Sequence, residues 1–198
     1  MESLVIPDTV TYIGWQAFMK SGIKSIRLSK SIDTIEPETF LNCTNLREIK
    51  IPEGVTKIGN DVFNGCSKLK KAILSSSLED IGVRAFADCS ELKIVKWCKE
   101  NEQSCLFSDD IFLNCKKLKK FVIPKNTILL GNMFDGCKKI RVIVLCSSET
   151  VRRFYFSNQK FSSGITLLVP KGKLEEFKAI ISQFETDTYK IRVREMKK

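Results

Sequence analysis

The stretch Cys43-Thr-Asn-Leu46-Arg-Glu-Ile49-Lys-Ile51-Pro52-Glu-Gly54-Val55-Thr-Lys-Ile58-Gly59-Asn-Asp-Val-Phe63-Asn-Gly-Cys66 carries the information that decides the fold. Ile49 and Ile51 alternate at period two, so they point to one face of a short strand. Pro52-Glu-Gly54 reverses the chain, and Val55-x-x-Ile58-Gly59 is a second short apolar motif. The piece from Gly59 through Phe63 to Cys66 is too short for a stable helix. It reads as a single helical or 3₁₀ turn that carries Phe63 inward.

Outward from this stretch the same pattern recurs. Phenylalanines stand at Phe18, Phe40, Phe63, Phe86, Phe112 and Phe134, at intervals of 22, 23, 23, 26 and 22 residues. A cysteine follows the last five by three positions: Cys43, Cys66, Cys89, Cys115 and Cys137. The strand-like piece returns around Ile26, Ala72, Val95, Phe121 and Ile143, and Leu4-Val-Ile6-Pro7 is the tail of an earlier copy. The second motif returns as Val10-x-x-Ile13-Gly14, Ile32-x-x-Ile35 and Leu78-x-x-Ile81-Gly82. One such unit cannot bury its apolar side, whereas stacked units can, which predicts a parallel-strand solenoid. Six to seven repeats of 22–26 residues fill 1–146. Residues 147–198 read as a degenerate repeat, with the aromatic cluster Phe154-Tyr155-Phe156, followed by a helix and strand that cap the solenoid. Leu174, Phe177, Ile180, Ile181 and Phe184 share one helical face, and Tyr189, Ile191 and Val193 alternate as a last strand.

The pattern between Cys43 and Cys66 resembles the leucine-rich repeat of the BspA-like, or Treponema-pallidum-type, family. The segment Leu167-Leu-Val-Pro-Lys-Gly-Lys-Leu-Glu-Glu-Phe177 is similar to the closing segment of such proteins. The resemblance implies an α/β-type repeat solenoid, right-handed, with a parallel β-sheet on the concave face, short helical turns and a C-terminal cap. It also implies a surface-exposed or secreted protein that works in adhesion and protein binding, without catalytic residues. Two places depart from the family pattern. Glu36-Pro37 stands at a turn where Ile-Gly is usual, and the fifth repeat loses the second motif and is lengthened by Cys98–Cys105.

Composition narrows the function classes. The 198-residue chain has no histidine, which removes Ser-His-Asp and Cys-His catalysis, His-ligated zinc and a histidine pH switch. No apolar run reaches the ~20 residues of a membrane span. Met1 to Pro7 is no signal peptide, and because the pattern is entered midway, a leader would have to lie upstream. The net charge of +10 raises nucleic acid or another polyanion as a partner.

Cysteines at one repeat position should lie about 5 Å apart with side chains pointing the same way, which is poor disulfide geometry, so they read as buried thiols. Cys98 and Cys105 are the pair that could close a hydrophilic loop in an oxidising compartment. No spacing suits a metal, no cofactor motif is present, and the exposed pair Asp109-Asp110 has no pocket signature. Asn42-Cys43-Thr44 satisfies the glycosylation sequon but falls in a turn expected to be buried.

Two sets of residues are candidate ligand contacts. The residue after the leading Leu or Ile is basic in every copy, so Lys24, Arg47, Lys70, Lys93, Lys119 and Arg141 should form a column on the sheet rim. The open strand positions Arg27, Lys50, Ile73, Lys96, Val122 and Val144 should form a grid on the concave face, its apolar members partly exposed. The reading is a monomeric, non-enzymatic module that binds a protein or glycan through that grid. The alternative is polyanion or nucleic-acid binding through the column.

Overall fold

The computed structural model describes residues 2–98, 104–147, 164–182 and 191–196. Each repeat contributes one strand to a long-strand sheet. Strands β1 (Ser3–Val5), β2 (Ser25–Arg27), β4 (Glu48–Lys50), β6 (Lys71–Leu74) and β8 (Ile94–Trp97) run parallel in that spatial order. A second parallel run follows, with β10 (Lys120–Ile123), β12 (Val142–Leu145), β13 (Ile165–Val169) and β14 (Ile191–Glu195). The second apolar motif forms a short-strand sheet from β3 (Thr34–Ile35), β5 (Lys57–Ile58), β7 (Asp80–Ile81), β9 (Ser104–Phe107) and β11 (Asn126–Leu129). Neighbouring strands in each sheet pair in parallel, as successive coils of a solenoid require.

The sheet does not stop at 146. β12 pairs β13 and β13 pairs β14, with Val144 opposite Leu168 and Leu168 opposite Arg194. The eight-residue helix Leu174–Ile181, α1, links these two strands and buries Phe177, Ile180 and Ile181. Phe184, Tyr189 and the Phe154-Tyr155-Phe156 cluster lie outside the described residues.

The third side of the coil differs from the expected helical turn. Gln16, Glu38, Asp61, Arg84 and Asp110 have φ between 53° and 58°. Four residues later Lys20, Asn42, Gly65, Asp88 and Asn114 are again left-handed, and Gly136 holds the same place in the next coil. A left-handed residue every fourth position breaks helical progression, so the segment is a chain of tight turns. Alternate N–H groups then have different partners. In the second coil Leu41 and Cys43 donate back to Glu38 and Phe40, whereas Glu38, Phe40 and Asn42 donate forward to the carbonyls of Asn60, Val62 and Asn64. The turns thereby form a third hydrogen-bonded ladder between coils, which leaves few buried backbone groups without partners.

The fifth repeat keeps its second motif after all. Phe107 aligns with Ile81 and Cys105 lies two residues before it, both without solvent exposure. A strand ending in Phe fills the slot that Ile35, Ile58 and Ile81 hold in the earlier coils.

The core is a set of ladders. Phe18, Phe40, Phe63, Phe86, Phe112 and Phe134 stack with ring centroids 5.3, 5.4, 5.1, 5.7 and 5.9 Å apart. The rings from Phe40 onward are buried, as are the five ladder cysteines. Burial pushes the thiols of Cys43, Cys66, Cys89 and Cys115 up from their ordinary range.

Gly59 is required by close approach. A Cβ there would lie 2.7 Å from the backbone nitrogen of Pro37 and 2.9 Å from its Cα, in the preceding coil.

Candidate ligand-binding face

Strand alternation sends one face of the long-strand sheet into the core and the other to solvent. Ile49, Ala72 and Val95 point inward and are buried. Lys50, Ile73 and Lys96 lie opposite one another in register and point outward. Val5 and Arg27 precede them in the same row, and Val122 and Val144 are paired beyond them. Of the six expected grid residues, Arg27, Lys50 and Lys96 are exposed, while Ile73 and Val122 are half-buried. Val144 is a correction, because it is only 3% exposed. It sits in the register between Val122 and Leu168, and cross-strand contact with an apolar side chain on each side takes it out of water.

Strand periodicity implies a second outward row that the grid omitted. Ser25, Glu48, Lys71 and Ile94 align two residues upstream of the first row. Its signal was present in the sequence as the i−2 neighbour of every grid residue. Ile94 is 49% exposed and is the large apolar member of that row. Lys71 pairs with Glu48 at 3.5 Å, and Arg27 pairs with Asp8 at 3.0 Å.

The basic residues line up along the strand entry. The N–H groups of Arg47, Lys70 and Lys93 donate to the carbonyls of Lys24, Arg47 and Lys70 at 3.1, 2.7 and 3.0 Å. After a gap Arg141 donates to Lys119 at 3.0 Å. Lys24 is paired with Glu2, and the Arg141 guanidinium donates to the carbonyls of Lys138 and Ile140.

The gap in the column coincides with a break in the sheet. No ladder joins β8 to β10, and the Trp97 indole N–H donates to the Val122 carbonyl at 3.0 Å across the break. Elsewhere in the sheet this type of carbonyl accepts a backbone donor: Ile51 donates to Ile73, and Ile6 to Arg27. At the break the indole takes the place that the Trp97 backbone N–H would hold.

Cys98 and Cys105 do not close the expected loop. Cys105 is a buried thiol in β9, pushed up by burial, and is not bonded to Cys98. Cys98 directly follows β8 of the long-strand sheet, whereas Cys105 lies within β9 of the short-strand sheet and faces the core. Asn42 is exposed, contrary to the expectation that its sequon is buried, although Cys43 beside it points inward. Burial, then Asp109, raises the Asp110 carboxyl, while Asp109 accepts the Asn132 N–H at 3.1 Å, so this pair organises a turn. Among the described residues no group of three or more Cys, Asp or Glu converges as metal ligands would, and no helix is long and apolar enough to cross a membrane.

Two solved structures share this architecture. The pneumococcal vaccine antigen PcpA is 18% identical with a TM-score of 0.58, over 99% of this chain and 56% of that one. The chain thus spans little more than half of that protein's length. The leucine-rich repeat protein of T. pallidum is 19% identical with a TM-score of 0.53, over 78% of both chains. At such identities the likeness shows the fold alone. Among curated proteins none matches the sequence. Residues 1–106 and 105–171 match, in six copies, the model described as BspA type Leucine rich repeat region, and the chain belongs to that family.

Proposed function

We propose that the chain is a non-enzymatic binding module, surface-exposed or secreted, that recognises a protein or glycan on the outward face of its long-strand sheet. That is the face which the family resemblance makes concave. The observation that supports this reading most is the aligned row Lys50, Ile73 and Lys96, outward-pointing on a parallel ladder whose other face is the core. A partner laid across such a row touches several repeats at once, and its central side chains are the ones most readily desolvated. The chemistry on the face is ammonium, guanidinium and aliphatic surface with the Glu48 carboxylate paired to Lys71, a combination that suits recognition rather than bond-making.

The test is to recover binders from a glycan array and a displayed peptide library with the immobilised chain. Ile73→Asp with Lys96→Glu should abolish their binding while the thermal melt stays unchanged, since neither side chain enters the core. Binders that ignore both changes and depend on the turns would sink the reading. The backbone-linked basic column favours a second reading, a polyanion ligand. Its binding should fall steeply between about 50 and 200 mM salt, whereas an apolar anchor at Ile73 should be nearly indifferent.

A further inference from the structure

The sheet break leaves a cleft of about 490 Å³ lined by Lys93, Ile94, Lys117, Lys119 and Lys139. Lys93 and Lys119 are the column residues on either side of the gap. Lys117 and Lys139 come from the position just before the leading apolar residue, where other copies carry Asn45, Lys68 and Glu91. In the earlier repeats acids stand beside part of this side, Glu2 paired with Lys24 and Glu48 with Lys71, while the column residues Arg47 and Lys70 stand one per coil without an ion pair to a described acid. At the cleft Glu91 engages Lys117, and Lys93, Lys119 and Lys139 make no ion pair with a described acid. Four lysines against the single carboxylate of Glu91 leave a net positive cluster whose repulsion an anionic ligand relieves.

The rest of the lining says what kind of anion. Among the described residues no aromatic side chain lines the cleft, so these walls offer bases and sugar rings nothing to stack on. The cations are lysines, which act as flexible point charges rather than as planar forks for phosphate or sulfate. Between them the walls are lysine stems and the half-exposed Ile94. Carboxylates spaced around an aliphatic side chain match this combination.

We infer that this cleft binds an acidic peptide segment of the partner, with carboxylates on Lys93, Lys119 and Lys139 and an aliphatic side chain on Ile94. The inference rests on the reading of this sheet face as the binding face, and it names the ligand chemistry at one end of it.

The probe is a fluorescein-labelled Glu-Glu-Leu-Glu-Glu peptide with blocked ends, followed by anisotropy with the whole chain. Three exposed charge pairs are together worth about a tenfold change, so Lys93→Gln with Lys119→Gln and Lys139→Gln should weaken binding about tenfold or more. Removing equal charge elsewhere, by Lys30→Gln, Lys57→Gln and Arg84→Gln, should change it less than about twofold. Ile94→Asp should abolish binding, and a Gln-Gln-Leu-Gln-Gln peptide should fail to bind. Circular dichroism of each variant verifies the fold. Four results overturn the inference: no binding at about 1 mM protein, equal losses in the two triple variants, or tighter cleft-dependent binding of a sulfated disaccharide or of oligothymidylate. The fourth is loss of the peptide on Ile73→Asp with Lys96→Glu but not on the lysine variant, which would leave the binding face standing and remove the cleft from it.

Discussion

The thiol of Cys66 donates to the carbonyl oxygen of Phe40, 3.2 Å away and one coil back. The same oxygen accepts the N–H of Cys43 at 3.1 Å, which closes its own turn. The relationship repeats: Cys43 reaches Phe18, Cys89 reaches Phe63, Cys115 reaches Phe86 and Cys137 reaches Phe112, at 3.0 to 3.2 Å. Cysteine fits because it is apolar enough to be buried and still carries a weak donor for the second lone pair. Cys66→Ala should therefore cost about 1–3 kcal/mol, from the lost sulfur volume and the lost donor. Urea unfolding against Cys98→Ala, at a half-buried site, checks it; equal losses would mean that the contact contributes nothing.

Because Cys66, Cys89, Cys105 and Cys115 are buried, their thiols are pushed well above the ordinary value of 9.0. The folded state holds these protons after the unfolded chain has released them. Stability is therefore fully present below the unfolded value and is lost as pH rises beyond it. Each such thiol should contribute a slope of about 1.4 kcal/mol per pH unit above pH ~9. Comparing wild type with Cys66→Ala at pH ~8 and ~10 cancels the lysine titration, and the variant should lose less by one such slope. Identical pH dependence would contradict the burial.

Phe63 stacks between Phe40 at 5.4 Å and Phe86 at 5.1 Å and is fully buried. Phe63→Ala opens a hole in the middle of the ladder that rigid backbone coils cannot close. The loss should be about 3–5 kcal/mol in chemical denaturation. A loss below about 1 kcal/mol would mean that the rings do not carry the stack.

These two ladders were legible in the sequence because a fixed period puts one residue type in one slot, and slot-to-slot contact follows from stacking. The turns were not legible. Gln16, Glu38, Asp61 and Arg84 adopt left-handed backbone without being glycine or asparagine, so composition gave no sign of it. Local preference is overridden there by the hydrogen bonds that each turn donates to the next coil. The role of β9 was hidden because Cys105 and Phe107 replace the usual isoleucine, and the sheet break was hidden because nothing marks Trp97 as a bridging donor. The grid was half legible: the first row was read, and the row through Ile94 needed the pleat to be followed one step further.

Gly59 and Gly22 separate close approach from mere turn composition. An alanine Cβ at 59 would press on the Pro37 backbone at 2.7 and 2.9 Å, whereas at 22 it would meet nothing within 4 Å. Gly59→Ala should cost about 1–3 kcal/mol, because two coils must separate locally. Gly22→Ala should be neutral or slightly stabilising, since it restricts the unfolded chain. Thermal melts of the two variants decide this, and the reverse order would refute the packing argument.

Trp97 holds the break between β8 and β10 in two ways. Its ring stacks on Phe107 at 6.3 Å and its N–H donates to Val122 at 3.0 Å. Trp97→Phe preserves the stacking and removes the donor, so the cost isolates the hydrogen bond, about 1–2 kcal/mol with the Val122 carbonyl left unpaired. Amide exchange should report where that cost falls: β10 should lose protection while β1 and β2, three or more coils from Trp97, keep theirs. Fluorescence supplies a second check, because the chain has two tryptophans and Trp15 is 61% exposed. The blue-shifted, acrylamide-resistant part of the emission should vanish in Trp97→Phe and leave only the quenchable Trp15. If protection fell evenly through all strands, the indole would be an ordinary core residue and the two halves of the long-strand sheet would be joined by something else.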